Sequence, residues 1–268
     1  MSETESTHAN WGVIVLAGDR GPDDPVAQAG GARCKAMADV AGQPLLARVL
    51  DALSRSEAIA DCCVVGPSAD IVADNPELAA LLEQRGVRWI APEPSPVASA
   101  LAGLSALGAD RPALITTADH ALLDTEMIAA MCRARPGVDL SVGLVDYALV
   151  RDAFPDSRRT AIRFGGEGYC GCNLFALHTP RGRRLVERWR RVETQRKHPA
   201  RVVAGMLGWA ALARYALRRL SLDGAFDRLS RRHDLNAVPV LLDDPRAAVD
   251  VDSIADLRQV EAILRAAR

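Results

Sequence analysis

The sequence predicts an α/β protein: a three-layer, mainly parallel sheet with helices on both faces and a basic helical appendage. Three observations carry this prediction. Short β-branched apolar runs alternate with helical patterns through the first half of the chain, as parallel strands joined by crossover helices do. The opening run, Gly12-Val-Ile-Val-Leu-Ala17, is apolar at successive positions, which suits a central strand buried on both faces. From Pro180 to His233 the pattern becomes helical and rich in arginine.

Met1 to Asn10 is polar, without a basic flank or an apolar core, and reads as a disordered tail rather than a secretory signal. After the first strand comes a loop rich in Gly, Pro and Asp. Leu45, Leu46, Val49, Leu50 and Leu53 then fall at helical spacing between Pro44 and Ser54. The alternation continues as strand Cys62–Val65, helix Glu77–Arg85, strand Val87–Ile90, helix Val97–Leu107 and strand Ala113–Thr117, with a further helix starting near Asp124. Strands at Ser141–Val145 and Asn173–Leu177 are joined through a turn at Gly165, Gly166 and Gly168. In the appendage, Arg181, Arg183, Arg184, Arg188, Arg190, Arg191, Arg196, Lys197 and Arg201 precede the apolar run Met206–Leu220. A strand at Val238–Leu242, a short element at Ala248–Val251 and a helix at Ile254–Leu264 close the chain. Residues 11–268 therefore read as a single domain, with the appendage at about 180–233.

Composition narrows the function classes. The 268 residues carry a formal net charge of -1 with 25% charged and 49% hydrophobic residues, so nothing global points to nucleic acid or to disorder. No apolar stretch approaches the roughly 20 residues that span a bilayer. Of six cysteines, the adjacent Cys62 and Cys63 lie in a strand pattern, which favours buried thiols and a reducing cytoplasmic setting over a disulfide framework. Cys170-Gly-Cys172 has no second pair at zinc-finger spacing.

Open parallel sheets bind ligands beyond the carboxyl ends of their strands, so the residues after Ala17, Thr117 and Val251 hold most interest. The first constellation is Leu16-Ala17-Gly18-Asp19-Arg20-Gly21, followed by Gly30-Gly31-Ala-Arg33-Cys-Lys35 and Gly42-Gln-Pro44-Leu45. Glycine after a buried strand lets backbone N–H groups approach phosphate oxygens, and Arg and Lys neutralise charge built up in transfer. Neither the P-loop nor the dinucleotide fingerprint is present. The second is Thr116-Thr117-Ala118-Asp119-His120, with an acid at a strand end. Asp119 either caps the following helix or supplies carboxylate oxygen to a hard cation such as Mg2+. His120 reads as a solvent-edge or supporting residue rather than a catalyst. The third is Asp250-Val-Asp252-Ser-Ile-Ala-Asp256-Leu257, where Asp252 and Asp256 read as an N-cap and a first-turn acid, or Asp252 completes a metal pair with Asp119.

Taken in order, Leu16-Ala-Gly18 with Arg20, Lys35 and Gly42-Gln-Pro44-Leu45, then Ala118-Asp119, then Val251-Asp252-Ser-Ile-Ala-Asp256-Leu257 resemble a known family. It is the nucleotidyltransferases of GT-A-like, Rossmann-like fold, nearest to the molybdenum-cofactor guanylyltransferase-like branch. The resemblance covers roughly the first half of the chain and the last twenty or so residues. It implies phosphate binding around Leu16, Ala17 and Gly18, with Lys35 near the α-phosphate and either Arg20 or Arg33 as the family arginine. It further implies Mg2+ held by Asp119 and Asp252, with Asp250 the alternative second ligand. Ser95 and Ser99 fall where the family lines its base pocket, and Asn173 where it binds sugar or acceptor. Asp19 stands where the family usually has a second glycine, His120-Ala121 replaces the proline that often follows the metal-binding acid, and Ile254 replaces another proline.

The activity so implied is transfer of a nucleoside monophosphate from an NTP, CTP or GTP favoured, to a small phosphorylated acceptor with release of pyrophosphate. An acceptor phosphate is already ionised near neutral pH, so positioning and charge neutralisation carry the catalysis. Three other readings stay open: a membrane-surface cytidylyltransferase of a lipid head-group pathway, a GT-A glycosyltransferase using Asp250-Val-Asp252, and a non-catalytic nucleotide-binding regulator. The basic appendage is either a solvated helical face or, with Trp189, Trp209 and Tyr215, a contact for an anionic membrane or an acidic acceptor.

Overall fold

The structure is a computed structural model and describes residues 10–19, 21, 23–109, 111–157, 159–193 and 206–267. The expected tail, Arg20 and the basic cluster beyond Glu193 fall largely or wholly outside the described residues.

Strand β1 (Trp11–Leu16) leads through the glycine loop to the short helix α1 (Pro25–Ala29). Asp24 caps α1, its carboxylate accepting the N–H groups of Val26 (2.9 Å) and Ala27 (3.2 Å); the acid inside the phosphate-loop region thus has structural work. A two-residue hairpin follows, β2 (Asp39–Val40) and β3 (Gln43–Pro44), turned by Ala41 and Gly42 at φ 53° and 86°. Both central residues have positive φ, the requirement of a type I′ turn.

Helix α2 (Leu45–Ser54), strand β4 (Ile59–Val65), helices α3 (Ala69–Ala73) and α4 (Pro76–Gln84), strand β5 (Arg88–Ile90), helix α5 (Pro96–Leu107) and strand β6 (Ala113–Thr117) then alternate. They match the expected elements to within three residues at each end, with α1, α3 and the small hairpin as additions. Beyond them lie α6 (Thr125–Cys132), β7 (Leu140–Asp146), α7 (Tyr147–Ala153), β8 (Ile162–Phe164) and β9 (Glu167–Leu177). Gly165 and Gly166 turn the β8–β9 hairpin with positive φ. Helices α8 (Pro180–Glu193), α9 (Trp209–Ala216) and α10 (Leu222–His233) precede β10 (Ala237–Leu241) and α11 (Ile254–Ala266).

Among the described residues eight strands form one sheet, in the order β10-β7-β9-β6-β1-β4-β5 with β8 paired to β9. The pairs β1/β4, β1/β6, β4/β5 and β7/β10 are parallel, while β9 runs antiparallel between β6 and β7. β1 is central as its unbroken apolar run requires. Val13 and Val15 face one helical layer with α2 and α6, and Ile14 faces the other with α5 and α8. This is the three-layer Rossmann-like arrangement.

Two expectations need correction. The segment Ala248–Val251 is not a strand: Pro245–Ala248 forms a 3-10 turn, and the chain then runs irregularly into α11. The arginine-rich segment is closely built onto the core, since Leu185, Met206 and Leu235 join the cluster of Ile14 and Ile115. Arg183 donates to the carbonyls of Leu104 (3.4 Å), Gly108 (2.5 Å) and Arg111 (2.5 Å), satisfying the C-terminal end of α5.

Candidate active site

The site gathers at the carboxyl ends of β1 and β6. Backbone bonds set the geometry: the Ala17 N–H donates to Val65 C=O (2.9 Å) and the Ala118 N–H to Leu16 C=O (2.9 Å). Gly66 has φ +95°, and a Cβ there would stand 2.6 Å from the Ala17 oxygen, so only glycine lets the end of β4 support this loop. A Cβ on Gly18, by contrast, would meet nothing within 4 Å.

Lys35 lies at the start of a 3-10 turn, Lys35–Met37, and is 8% exposed. Its Nζ donates to Asp119 Oδ2 (2.5 Å) and to Asp252 Oδ1 (2.7 Å). Three residues separated by up to 217 positions thus meet at one point. Burial alone would lower the Lys35 pKa, but Asp119 first, and Asp252 with it, reverse that effect and the net shift is upward. The ammonium stays charged.

A backbone bond brings the two acids together, the Val251 N–H donating to the Asp119 carbonyl (3.0 Å). The expectation that Asp119 caps a helix fails because Asp124 does so itself, accepting from the N–H groups of Glu126 (3.1 Å) and Met127 (2.9 Å). Nor is Asp252 the N-cap of α11. Ser253 holds that position and accepts from the Asp256 N–H (3.2 Å) while donating to Asp256 Oδ2 (2.7 Å).

Asp250 has other partners. Its carboxylate pairs with Arg159 and accepts from Asn173 Nδ2 (2.9 Å). Arg159 also donates to the Asp250 carbonyl (2.6 Å) and to Asp256 Oδ1 (2.8 Å). Asn173 sits at φ 52°, a left-handed conformation that asparagine tolerates better than most residues. Of the two candidate second acids, Asp252 converges with Asp119 and Asp250 does not. Arg159 is the residue that sequence reading missed, since an arginine in an irregular stretch carries no pattern.

Of the remaining candidates, three join the Lys35 cluster and the others lie apart from it or outside the described residues. Leu16, Ala17 and Gly18 line a cavity of about 20 Å³ together with Lys35, Ala118 and Asp119, about the size that holds one water or ion. Ser95 caps α5, accepting from the Ala98 N–H (3.2 Å), and Ser99 Oγ accepts from the Glu93 N–H (2.9 Å); both shape the loop before α5. Arg33 is exposed and donates to the Asp74 carbonyl (3.0 Å), away from the Lys35 cluster. Arg20 lies outside the described residues. His120 is 1% exposed rather than at a solvent edge. Burial, followed by Asp119 and Asp124 acting oppositely and Arg159 acting with it, holds its pKa down at about 4. It is a neutral imidazole behind the acids.

Among the described residues no group of three or more His, Cys, Asp or Glu side chains could hold a metal ion, so a cation here would have only Asp119 and Asp252 as protein ligands. Asp119 Oδ1 is buried without a hydrogen-bond partner among the described residues, and half of the Asp252 side chain is exposed. The Lys35 ammonium sits between these two carboxylates, and carboxylate oxygen is the ligand that a hard cation such as Mg2+ takes.

A family model described as the MobA-like NTP transferase domain matches residues 13–237. Among solved structures, a hypothetical transferase from Thermus thermophilus is 25% identical, with a TM-score of 0.74, covering 92% of this chain and 99% of that one. The 4-diphosphocytidyl-2C-methyl-D-erythritol synthase of Anaerococcus prevotii is 14% identical with a TM-score of 0.56, covering 96% and 99%. A CMP:2-keto-3-deoxy-manno-octonic acid synthetase complexed with CTP is 12% identical with a TM-score of 0.56, covering 97% and 99%. These last two show the fold. No curated protein matches the sequence.

Proposed function

The chain belongs to the MobA-like NTP transferase family, and from that membership we propose that it transfers a nucleoside monophosphate from an NTP to a small phosphorylated acceptor, releasing pyrophosphate. The observation that carries this reading is the bridge of Lys35 between Asp119 and Asp252, beside the open backbone at Gly18.

In the proposed reaction the N–H groups of the Gly18 loop hold the NTP phosphates, whose negative charge complements a buried ammonium. Lys35 lies one small cavity away from that loop and neutralises charge on the α-phosphate as the acceptor oxygen approaches in line. Asp119 and Asp252 keep Lys35 oriented, and they are the residues that would hold Mg2+. A bound Mg2+ supplies charge neutralisation and a template for the phosphates. No side chain need take a proton from a phosphate nucleophile. His120, neutral and buried, backs Asp119 rather than acting on substrate. Asn173 on β9, held by Asp250, is the residue we assign to sugar or acceptor contact.

The test is pyrophosphate release with each of the four NTPs and Mg2+, CTP and GTP first, against a panel of sugar, polyol and head-group phosphates. Acceptor-dependent release with one NTP is the expected result. Absence of both release and Mg-NTP binding by calorimetry would sink the reading.

A further inference from the structure

Between the sheet and the layer of α5, α8 and α10 lies a cavity of about 270 Å³. Its floor includes Ile115, Val142 and Phe175, and its walls include Ala100, Val186 and Leu229; every described residue that lines it is apolar. Ordinary packing leaves few voids larger than a water molecule, whereas a dry apolar cavity of about 150 Å³ is enough to take up benzene. A space this large is a binding volume rather than a packing defect.

Four observations bear on what fills it. Leu16 lines both this cavity and the small one beside Lys35 and Asp119, so the two spaces share a wall at the end of β1. Phe175 follows Asn173 by two positions on β9, linking the cavity to the Asp250 side of the site. Phe175 and Trp189 are also 39% and 42% exposed, so the apolar space opens to solvent. Finally, Trp189 and Val186 lie on α8, the helix that also carries exposed Arg184, Arg188 and Arg190, of which Arg188 donates to the His233 carbonyl (2.7 Å). An anionic head on an apolar chain complements both features at once.

We propose that this cavity binds the apolar chain of the acceptor, which is therefore a phosphate monoester carrying an alkyl or prenyl chain rather than a bare sugar phosphate. The fate of that phosphate rests on the nucleotidyltransferase reading. An acceptor phosphate oxygen bonds to the α-phosphorus of the NTP as the bond from that phosphorus to the pyrophosphate oxygen breaks. The products are a nucleoside diphosphate ester of the chain and free pyrophosphate.

Titration calorimetry of the full chain with butyl, octyl and decyl phosphate, in the absence of nucleotide and below micelle formation, tests the cavity directly. Each added methylene should tighten binding by about three- to fourfold until the space is full. Val186→Trp, which fills the cavity, should reduce decyl phosphate affinity at least to that of octyl phosphate while leaving Mg-NTP binding unchanged. Leu229→Trp serves the same purpose should the first variant not fold. Equal affinity for all three chain lengths, or decyl phosphate binding that both folded variants keep intact, overturns the proposal. Chain-length-dependent binding without pyrophosphate release from any NTP overturns the assignment of the bound chain to the acceptor and leaves an apolar-chain site standing; the nucleotidyltransferase reading itself falls only if Mg-NTP binding is absent as well.

Discussion

Lys35 is the residue on which the proposed chemistry turns. Replacing it by Ala removes the only ammonium that touches Asp119 and Asp252 among the described residues, and turnover should fall by about 10²- to 10³-fold, the usual loss for a charge-stabilising donor. Because two carboxylates then face each other, the melting temperature of Lys35→Ala should drop and recover more in millimolar Mg2+ than that of the wild type. An equal response of both proteins to Mg2+ in thermal melts would count against a cation site here. The neighbouring acids separate by role. Asp252→Asn should weaken Mg2+ dependence of turnover, whereas Asp250→Asn should leave it intact and lower stability by about 1–3 kcal/mol, since buried Arg159 loses a charged partner. Chemical denaturation and a Mg2+ titration of the same two variants check this. Lys35, Asp119 and Asp252 could be singled out from the chain because each belongs to one of three motifs that recur in a fixed order, although capping roles for the two acids fitted the same pattern. The preference for Asp252 over Asp250 was not legible there, because two acids one residue apart give the same pattern.

Elements position these residues through caps and close approaches. Ser253 caps α11 and holds Asp256, whose carboxylate in turn accepts the Asp252 N–H (3.2 Å). Ser253→Ala should therefore cost about 1 kcal/mol of stability and also raise the Mg2+ concentration needed for half-maximal activity; a stability loss alone would mark the cap as merely structural. Gly66→Ala would put a methyl group against the Ala17 carbonyl at a positive φ. It should raise the KM for NTP more than it lowers kcat, readable in steady-state kinetics, because the loop rather than the acids is displaced. The alternating elements from β1 to β6 followed from period and turn residues, which are local signals. The hairpin at Ala41-Gly42 escaped notice because its strands are two residues each, too short for any period to register.

For the whole molecule, three layers share one sheet, and buried histidines give it a pH limit. Burial first, then Arg135, holds His178 down to about 4, against the opposing pull of Asp139. An unfolded histidine titrates near about 6.5, so between that pH and about 4 the unfolded chain binds the extra proton and stability falls as pH falls. Thermal melts should be flat above neutrality and decline through this window, and His178→Gln should decline less steeply. The arginine-rich helices belong to the same whole. Gly182 brings α8 so near to β7 that a Cβ would lie 2.2 Å from the Asp139 oxygen, fastening the segment to the sheet. No described helix is long and apolar enough to cross a membrane.

By itself the sequence determined the layered α/β architecture and the central place of β1, and it singled out three segments, around Gly18, Asp119 and Asp252, as candidates for the site. Each depends on periodicity or residue type within a short window. Only the tertiary structure decided that Lys35 joins Asp119 to Asp252, that Asp250 belongs to Arg159 and Asn173, and that the basic segment packs against α5 and closes over an apolar cavity. Those facts depend on which residues far apart in the chain become neighbours, and backbone bonds such as Val251 to Asp119 fix that pairing only once the sheet has formed.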